Sequence, residues 1–271
     1  MIAAFTKINV YNRVRGGALV TWELTPQLRL TAPAVFSVEA SRTGVADWNL
    51  VATVTNQYLA NDNNQWQYGT APRLHYRVVL TTGAETYVSP VRQILGNVVG
   101  RNRGIVSELL RKEQLRFQHS GRHGYLYKRR RWGVRCPDCV DYDTGEVRIS
   151  GCTACFGTGF TGGYFDPVVY YVADSTNGVK RKAAVDEGIP GLAEARVKAV
   201  RAINCPWLDT EDIWIDCVTD ERFYVQSIQE INYGMMPIIF DPVELRLATA
   251  SDVAYTLSRP DESGSSSSTQ G

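Results

Sequence analysis

The sequence predicts a mainly β protein assembled from several small units, and three observations carry that expectation. Residues 5–94 alternate apolar and polar positions in short runs separated by turn clusters, the pattern of a β-sandwich. Four of the six cysteines crowd into residues 136–155 as two Cys-x-x-Cys pairs. Residues 205–257 again read as short strands joined by turns. A chain of 271 residues has room for two or three cores of ordinary size.

Taken in order, Ala18-Leu19-Val20-Thr21-Trp22-Glu23-Leu24 directs Ala18, Val20, Trp22 and Leu24 to one face. Phe36, Val38 and Ala40 repeat the pattern, as do Leu74, Tyr76, Val78 and Leu80. Gly16-Gly17, Thr43-Gly44, Asn61-Asp62-Asn63-Asn64 and Thr82-Gly83 supply turns between them. An early-strand Trp22, Phe36-Ser37-Val38-Glu39, Trp48, Tyr76-Arg77-Val78 and a closing Val88-Ser89-Pro90 together resemble a fibronectin type III domain. The resemblance covers about residues 5–95 and implies a unit at 1–96 that mediates contacts or acts as a spacer, with no catalytic residues.

Gly96-Asn97 and Gly100 mark a boundary that few contacts should cross, so units on either side are expected to unfold separately. Within 97–121, Ile105, Val106, Leu109, Leu110, Leu115 and Phe117 recur at helical spacing. A helix is expected at 103–118, stopped by His119-Ser120-Gly121.

Residues 122–167 hold Cys136-Pro137-Asp138-Cys139 and Cys152-Thr153-Ala154-Cys155, with twelve residues between the pairs. Two residues between sulfurs let backbone N–H groups turn toward the thiolates while both sulfurs reach one ion, and two such knuckles make a tetrahedral Cys₄ site. One structural Zn²⁺ held by Cys136, Cys139, Cys152 and Cys155 is the expectation; two disulfides or a redox dithiol are the alternatives. Asp143-Thr144-Gly145-Glu146 supplies a hairpin turn between the pairs. Cys155-Phe156-Gly157-Thr158-Gly159 resembles the Cys-x-x-Cys-x-Gly-x-Gly repeats of J-protein chaperones, but no His-Pro-Asp motif is present, so chaperone activity does not follow. His119 and His123 read as ordinary histidines. Cys205 and Cys217 read as buried thiols.

Arg122, Lys128, Arg129, Arg130, Arg131 and Arg135 interleave with Tyr125, Tyr127 and Trp132 ahead of the first pair. Such a run could neutralise phosphates and stack on bases. The favoured reading is a solvated strand or a protein contact, because 29 basic against 28 acidic residues and a net charge of +1 add little attraction for nucleic acid. Gly-x-Ser-x-Gly, His-Glu-x-x-His, a Walker-type phosphate loop and a Gly-x-Gly-x-x-Gly in a strand-to-helix setting are absent, and the acid groups Asp141/Asp143 and Asp209/Glu211/Asp212 fit turns and strand ends. No enzyme is expected. A leader peptide and a long apolar span are not seen, so neither secretion nor membrane insertion is expected.

In the last unit, 168–259, the chain is extended over Asp166–Tyr171, Ala193–Ala202 reads as a short helix or a loop, and strands are expected at 212–218, 222–228 and 243–247. The strand at Asp212-Ile213-Trp214-Ile215, the reverse turn, Phe223-Tyr224-Val225-Gln226-Ser227-Ile228 and Val243-Glu244-Leu245-Arg246-Leu247 followed by Ser251-Asp252-Val253-Ala254-Tyr255 resemble the small β-barrel of phage head-closure and head–tail connector proteins. That resemblance covers about residues 205–257. With the sandwich and the Cys₄ knuckle, it implies a structural protein of a tailed-phage neck, made in the host cytoplasm and assembled as a ring between portal and tail. A zinc-ribbon nucleic-acid adaptor and a surface-adhesion protein are the alternatives. The Ser/Gly-rich tail, 260–271, is expected to lie in subunit contacts.

Overall fold

The structure is a computed structural model that describes residues 4–13, 17–28, 30–63, 74–83, 85–94, 102–141, 144, 146–149, 151–175, 197–233 and 236–260. Residues 261–271 of the tail, the Gly96–Gly100 boundary, residues 193–196 and two positions of the 143–146 turn lie outside the described residues.

The N-terminal third forms two antiparallel sheets. Strands β1 (Phe5–Asn12), β2 (Ala18–Leu24) and β5 (Leu59–Asp62) make one, in the order β1-β2-β5. The other runs β4-β3-β6-β7, from β3 (Val35–Ser41), β4 (Asn49–Thr55), β6 (His75–Thr82) and β7 (Glu85–Val88), with β8 (Arg92–Gln93) also paired to β6. Alternation drives this arrangement: Val20, Trp22 and Leu24 from one sheet and Phe36, Val38, Tyr76, Val78 and Leu80 from the other are buried in a single apolar cluster. Deep in it, the Tyr76 hydroxyl donates to Asp62 at 2.9 Å.

Helix α1 (Arg103–Ser120) follows, two residues longer than its sequence signal, and the Gly121 N–H caps it by bonding Phe117 O at 2.9 Å. A Cβ on Gly121 would lie 2.4 Å from that carbonyl, so only glycine closes the helix this tightly. Val106, Leu110 and Phe117 seat the helix against Ile238 and Ile239.

The rest is a closed six-stranded antiparallel barrel. Its strands are β9 (Arg122–Tyr127), β10 (Val168–Asp174), β11 (Val197–Ile203), β12 (Ile213–Asp216), β13 (Arg222–Tyr233) and β14 (Met236–Leu247), in the closed order β10-β11-β14-β13-β12-β9. Leu126, Tyr170, Val172, Trp214, Phe223 and Leu245 share one core cluster, so side chains fill the barrel. Tyr125, Tyr127, Ile213 and Ile215 alternate onto the opposite face, where Ala254 and Leu257 of the segment around a 3₁₀ turn (Val253–Thr256) cover them. Gly124 has a packing reason: a Cβ there would meet Trp214 Nε1 at 2.4 Å.

Three expectations change. Residues 197–202 are a strand, because Val200 and Ala202 point into the barrel while the backbone pairs with both β10 and β14. Residues 122–127, assigned by sequence to the cysteine unit, are a barrel strand bonded to β10 and β12. The third C-terminal strand starts at Met236 rather than Val243, because β14 pairs with β13 along nearly its whole length. The cysteine segment is thus an excursion between two adjacent barrel strands.

Candidate metal centre

Two arms carry the cysteines away from the barrel and back. They pair antiparallel: Phe165 N–H bonds Lys128 O, Arg130 N–H bonds Gly163 O and Cys136 N–H bonds Gly159 O, at 2.9, 2.9 and 3.0 Å. Bridges at Arg129–Tyr164 and Arg135–Phe160 extend the pairing. Val140 pairs with Val147 and Asp141 N–H bonds Glu146 O at 2.9 Å, forming the hairpin expected between the two cysteine pairs.

The second pair sits in a tight left-handed path. Phe156, Gly157, Gly159, Gly162 and Gly163 all have positive φ, from 53° to 82°. At Gly163, with φ 60°, a Cβ would stand 2.6 Å from the Phe156 ring and 2.7 Å from Cys155 O, so the return arm cannot pass the knuckle with a side chain there.

This path brings the four sulfurs of Cys136, Cys139, Cys152 and Cys155 within 4.8 Å of one another. Cys136 Sγ lies 3.9 Å from Cys152 Sγ, and Cys139 Sγ lies 3.0 Å from Cys155 Sγ; none of the six cysteines forms a disulfide. Cys136, Cys139 and Cys155 are buried, and Cys152 is partly exposed. Burial pushes the Cys136 and Cys139 thiols up, because a lone thiolate there would lose its hydration. Backbone N–H groups of Cys155 and Ala154 aim at Cys152 and pull it down. A cation among the sulfurs offsets the cost of ionising buried thiols, so the donor set fits a metal ion.

The basic run is dispersed by the fold. Lys128 is buried and donates to Asp212 at 3.0 Å, to Trp207 O at 3.3 Å and to Asp209. Arg129 pairs with Glu211, and its N–H bonds Asp212 at 2.9 Å. Arg130 donates to Tyr164 O at 3.0 Å and to Asn56 O at 3.2 Å, with its guanidinium over the Phe165 ring. Arg131 reaches Thr210 O at 3.1 Å, Arg122 pairs with Asp216 at 2.5 Å, and Arg135 stacks on Phe160. Each of the six faces a partner inside the protein, and for Arg122, Lys128 and Arg129 that partner is a carboxylate.

Sequence reasoning missed what these contacts build. The acids 209–212 are a clamp on Lys128 and Arg129. Burial pulls the Asp212 carboxyl above its ordinary value; at Asp209 burial also pushes upward, but the charge and hydrogen bond of Lys128, the Trp207 N–H and the Arg131 charge together outweigh it and hold the carboxyl below its own. Trp132 and Phe165, one from each arm, pack into the sandwich core: the Trp132 ring lies 5.3 Å from Phe36 and 5.1 Å from Phe165, which lies 4.9 Å from Tyr58. Gln57 also bonds Asp166. The units expected to be separate are therefore joined through the arms that carry the metal centre. The remaining residues stay apart from it: His123 packs between Tyr125 and Tyr171, and burial pushes the Cys205 thiol up to about 12. Cys217 is only partly buried.

No family model, curated protein or solved structure matches this chain. Among the described residues, no helix is long and apolar enough to cross a membrane.

Proposed function

We propose that this protein is a non-catalytic structural subunit of a tailed-phage neck that assembles as a ring between portal and tail, with one structural Zn²⁺ in its Cys₄ centre. The observation that carries the reading is the construction itself: a filled, closed barrel fastened to a two-sheet sandwich by two arms whose far end gathers four cysteines. Zinc suits the all-thiolate set: bonds of about 2.3 Å put the sulfurs of a tetrahedron about 3.8 Å apart, against 3.9 Å for Cys136–Cys152 and 3.0 Å for Cys139–Cys155, so the second pair opens as the ion enters. Four thiolates complete a tetrahedron, leaving no open position for a substrate or water.

Two further features support the finer identification. The order β1-β2-β5 against β4-β3-β6-β7 fits a fibronectin type III-like sandwich. On the barrel, β13 and β14 each run twelve residues, and their outer halves project beyond the four-residue β12. Residues 229–233 are exposed there and, among the described residues, pair only with β14, so β13 offers an edge to a neighbour in the ring. The test is cross-linking mass spectrometry on purified tailed particles containing this chain, with native mass spectrometry of the recombinant protein. A cyclic oligomer and cross-links to portal and tail proteins are expected. A protein that is monomeric at all concentrations and absent from particles contradicts the reading.

A further inference from the structure

An open cleft of about 920 Å³ lies between the β1-β2-β5 sheet, the second half of α1 and the barrel. Leu59 lines it from the sheet, Leu115 from the helix, and Val168, Val169 and Ile203 from the barrel. Each of the five keeps accessible surface, and Val169 is 50% exposed. Apolar side chains from three units that stay uncovered yet converge on one concavity mark a binding surface. Its charge is one-sided: the described residues that line it include Arg13 and His119 but no aspartate or glutamate. Burial pushes the thiol of Cys205, another lining residue, upward, and the Arg13 charge acts against that rise. The field of the guanidinium therefore reaches into the cleft. Asn61 and Gln118, both exposed, add amide donors at the rim.

We propose that this cleft binds an organic monocarboxylate with a long apolar body, the chemistry of a medium-chain acyl acid. Its volume lies near the top of the range of about 300–1,000 Å³ typical of small-molecule sites, which favour junctions between domains. The walls select the body. Phe117 and Tyr170 line the cleft but are only 3% and 1% exposed, so it offers mainly aliphatic surface rather than ring faces on which a base could stack. The one permanent cation selects the head: a single guanidinium matches a single carboxylate in a two-pronged pair, whereas the phosphates of a nucleotide would call for several cations. The ligand then lies with its carboxylate at Arg13 and its chain along Leu59, Leu115 and Val169.

Isothermal titration of the full chain, prepared with zinc, against octanoate, decanoate and decylammonium below their aggregation limits tests the assignment. One saturable decanoate site is expected, roughly tenfold tighter than for octanoate because two more methylenes are buried. Decylammonium, with the same chain and the opposite charge, should bind at least about tenfold more weakly than decanoate. Two variants locate the site. Arg13→Glu reverses the charge that meets the head, and Val169→Glu sets a carboxylate on the apolar wall; both positions are exposed, so the cores stay intact. Each should weaken decanoate binding at least about tenfold while the circular dichroism spectrum is unchanged. Equal affinity for decylammonium, or decanoate affinity that survives either variant, overturns the proposal. So does the absence of saturable decanoate binding, which would leave the cleft to a polypeptide segment.

Discussion

Lys128→Met tests the joint most sharply. The variant keeps the aliphatic stem and removes the charge that Asp209 and Asp212 share. Asp212 has a side chain that is 0% exposed, so without Lys128 its carboxylate is buried and uncompensated. Breaking a buried pair in this way costs about 3–5 kcal/mol. Two N–H donors, Arg129 at 2.9 Å and Asp209 at 2.8 Å, still reach Asp212, which places the loss near the lower figure. For a chain of this size that corresponds to roughly 6–12 °C in melting temperature. The pH dependence follows from the directions of the two shifts. Asp212 already sits above its ordinary value in the fold and climbs further without the cation, so its penalty is absent below the unfolded carboxylate pKa of about 3.9 and grows as pH rises. Burial pushes Asp209 up, but Lys128, with Trp207 and Arg131, holds it below its ordinary value, a contribution present above that pKa and lost in acid. Both effects make the gap between wild type and variant wider at pH 7 than at pH 4. Thermal unfolding followed by circular dichroism at the two pH values measures it; a loss under about 1 kcal/mol, equal at both, would refute the clamp.

Two other substitutions probe the path from metal to sandwich. Cys136→Ser removes one sulfur of four and should abolish stable metal binding; near-UV dichroism from the Trp22/Trp132 cluster should weaken in the same transition as the knuckle, and a sandwich that melts unchanged contradicts the coupling. Gly163→Ala forces a Cβ against Cys155 O at positive φ and should cost about 1–3 kcal/mol while weakening metal retention, measured by competition with a chromogenic chelator.

The parts of the fold written in short-range pattern could be read directly. Val20/Trp22/Leu24 and Tyr76/Val78/Leu80 announce their strands by alternation, and the Cys-x-x-Cys spacing announces the four-cysteine cluster, because each signal lies within a few residues. What escaped depends on distant partners. Arg122-His123-Gly124-Tyr125-Leu126-Tyr127 alternates as a strand should, but its leading cations and the arginines that follow obscured the pattern. Its assignment rests on Leu126 facing the barrel core and on Gly124 making room for Trp214. Val197–Ile203 carries Lys198 and Arg201 amid small residues, a composition as compatible with helix as with strand until β10 and β14 pair with it. Pro237 and Pro242 broke the pattern of β14. The destination of the basic run was invisible for the same reason: Asp209, Glu211 and Asp212 lie about 80 positions beyond the cations they bind.

The function we propose requires the Cys₄ centre to be a closed zinc site that clips the two arms together. Elemental analysis combined with native mass spectrometry of the purified chain addresses this directly. One zinc per chain is expected, with Cys136, Cys139, Cys152 and Cys155 reacting with alkylating reagents only after chelation. A metal-free protein with these four cysteines joined in two disulfides would contradict it.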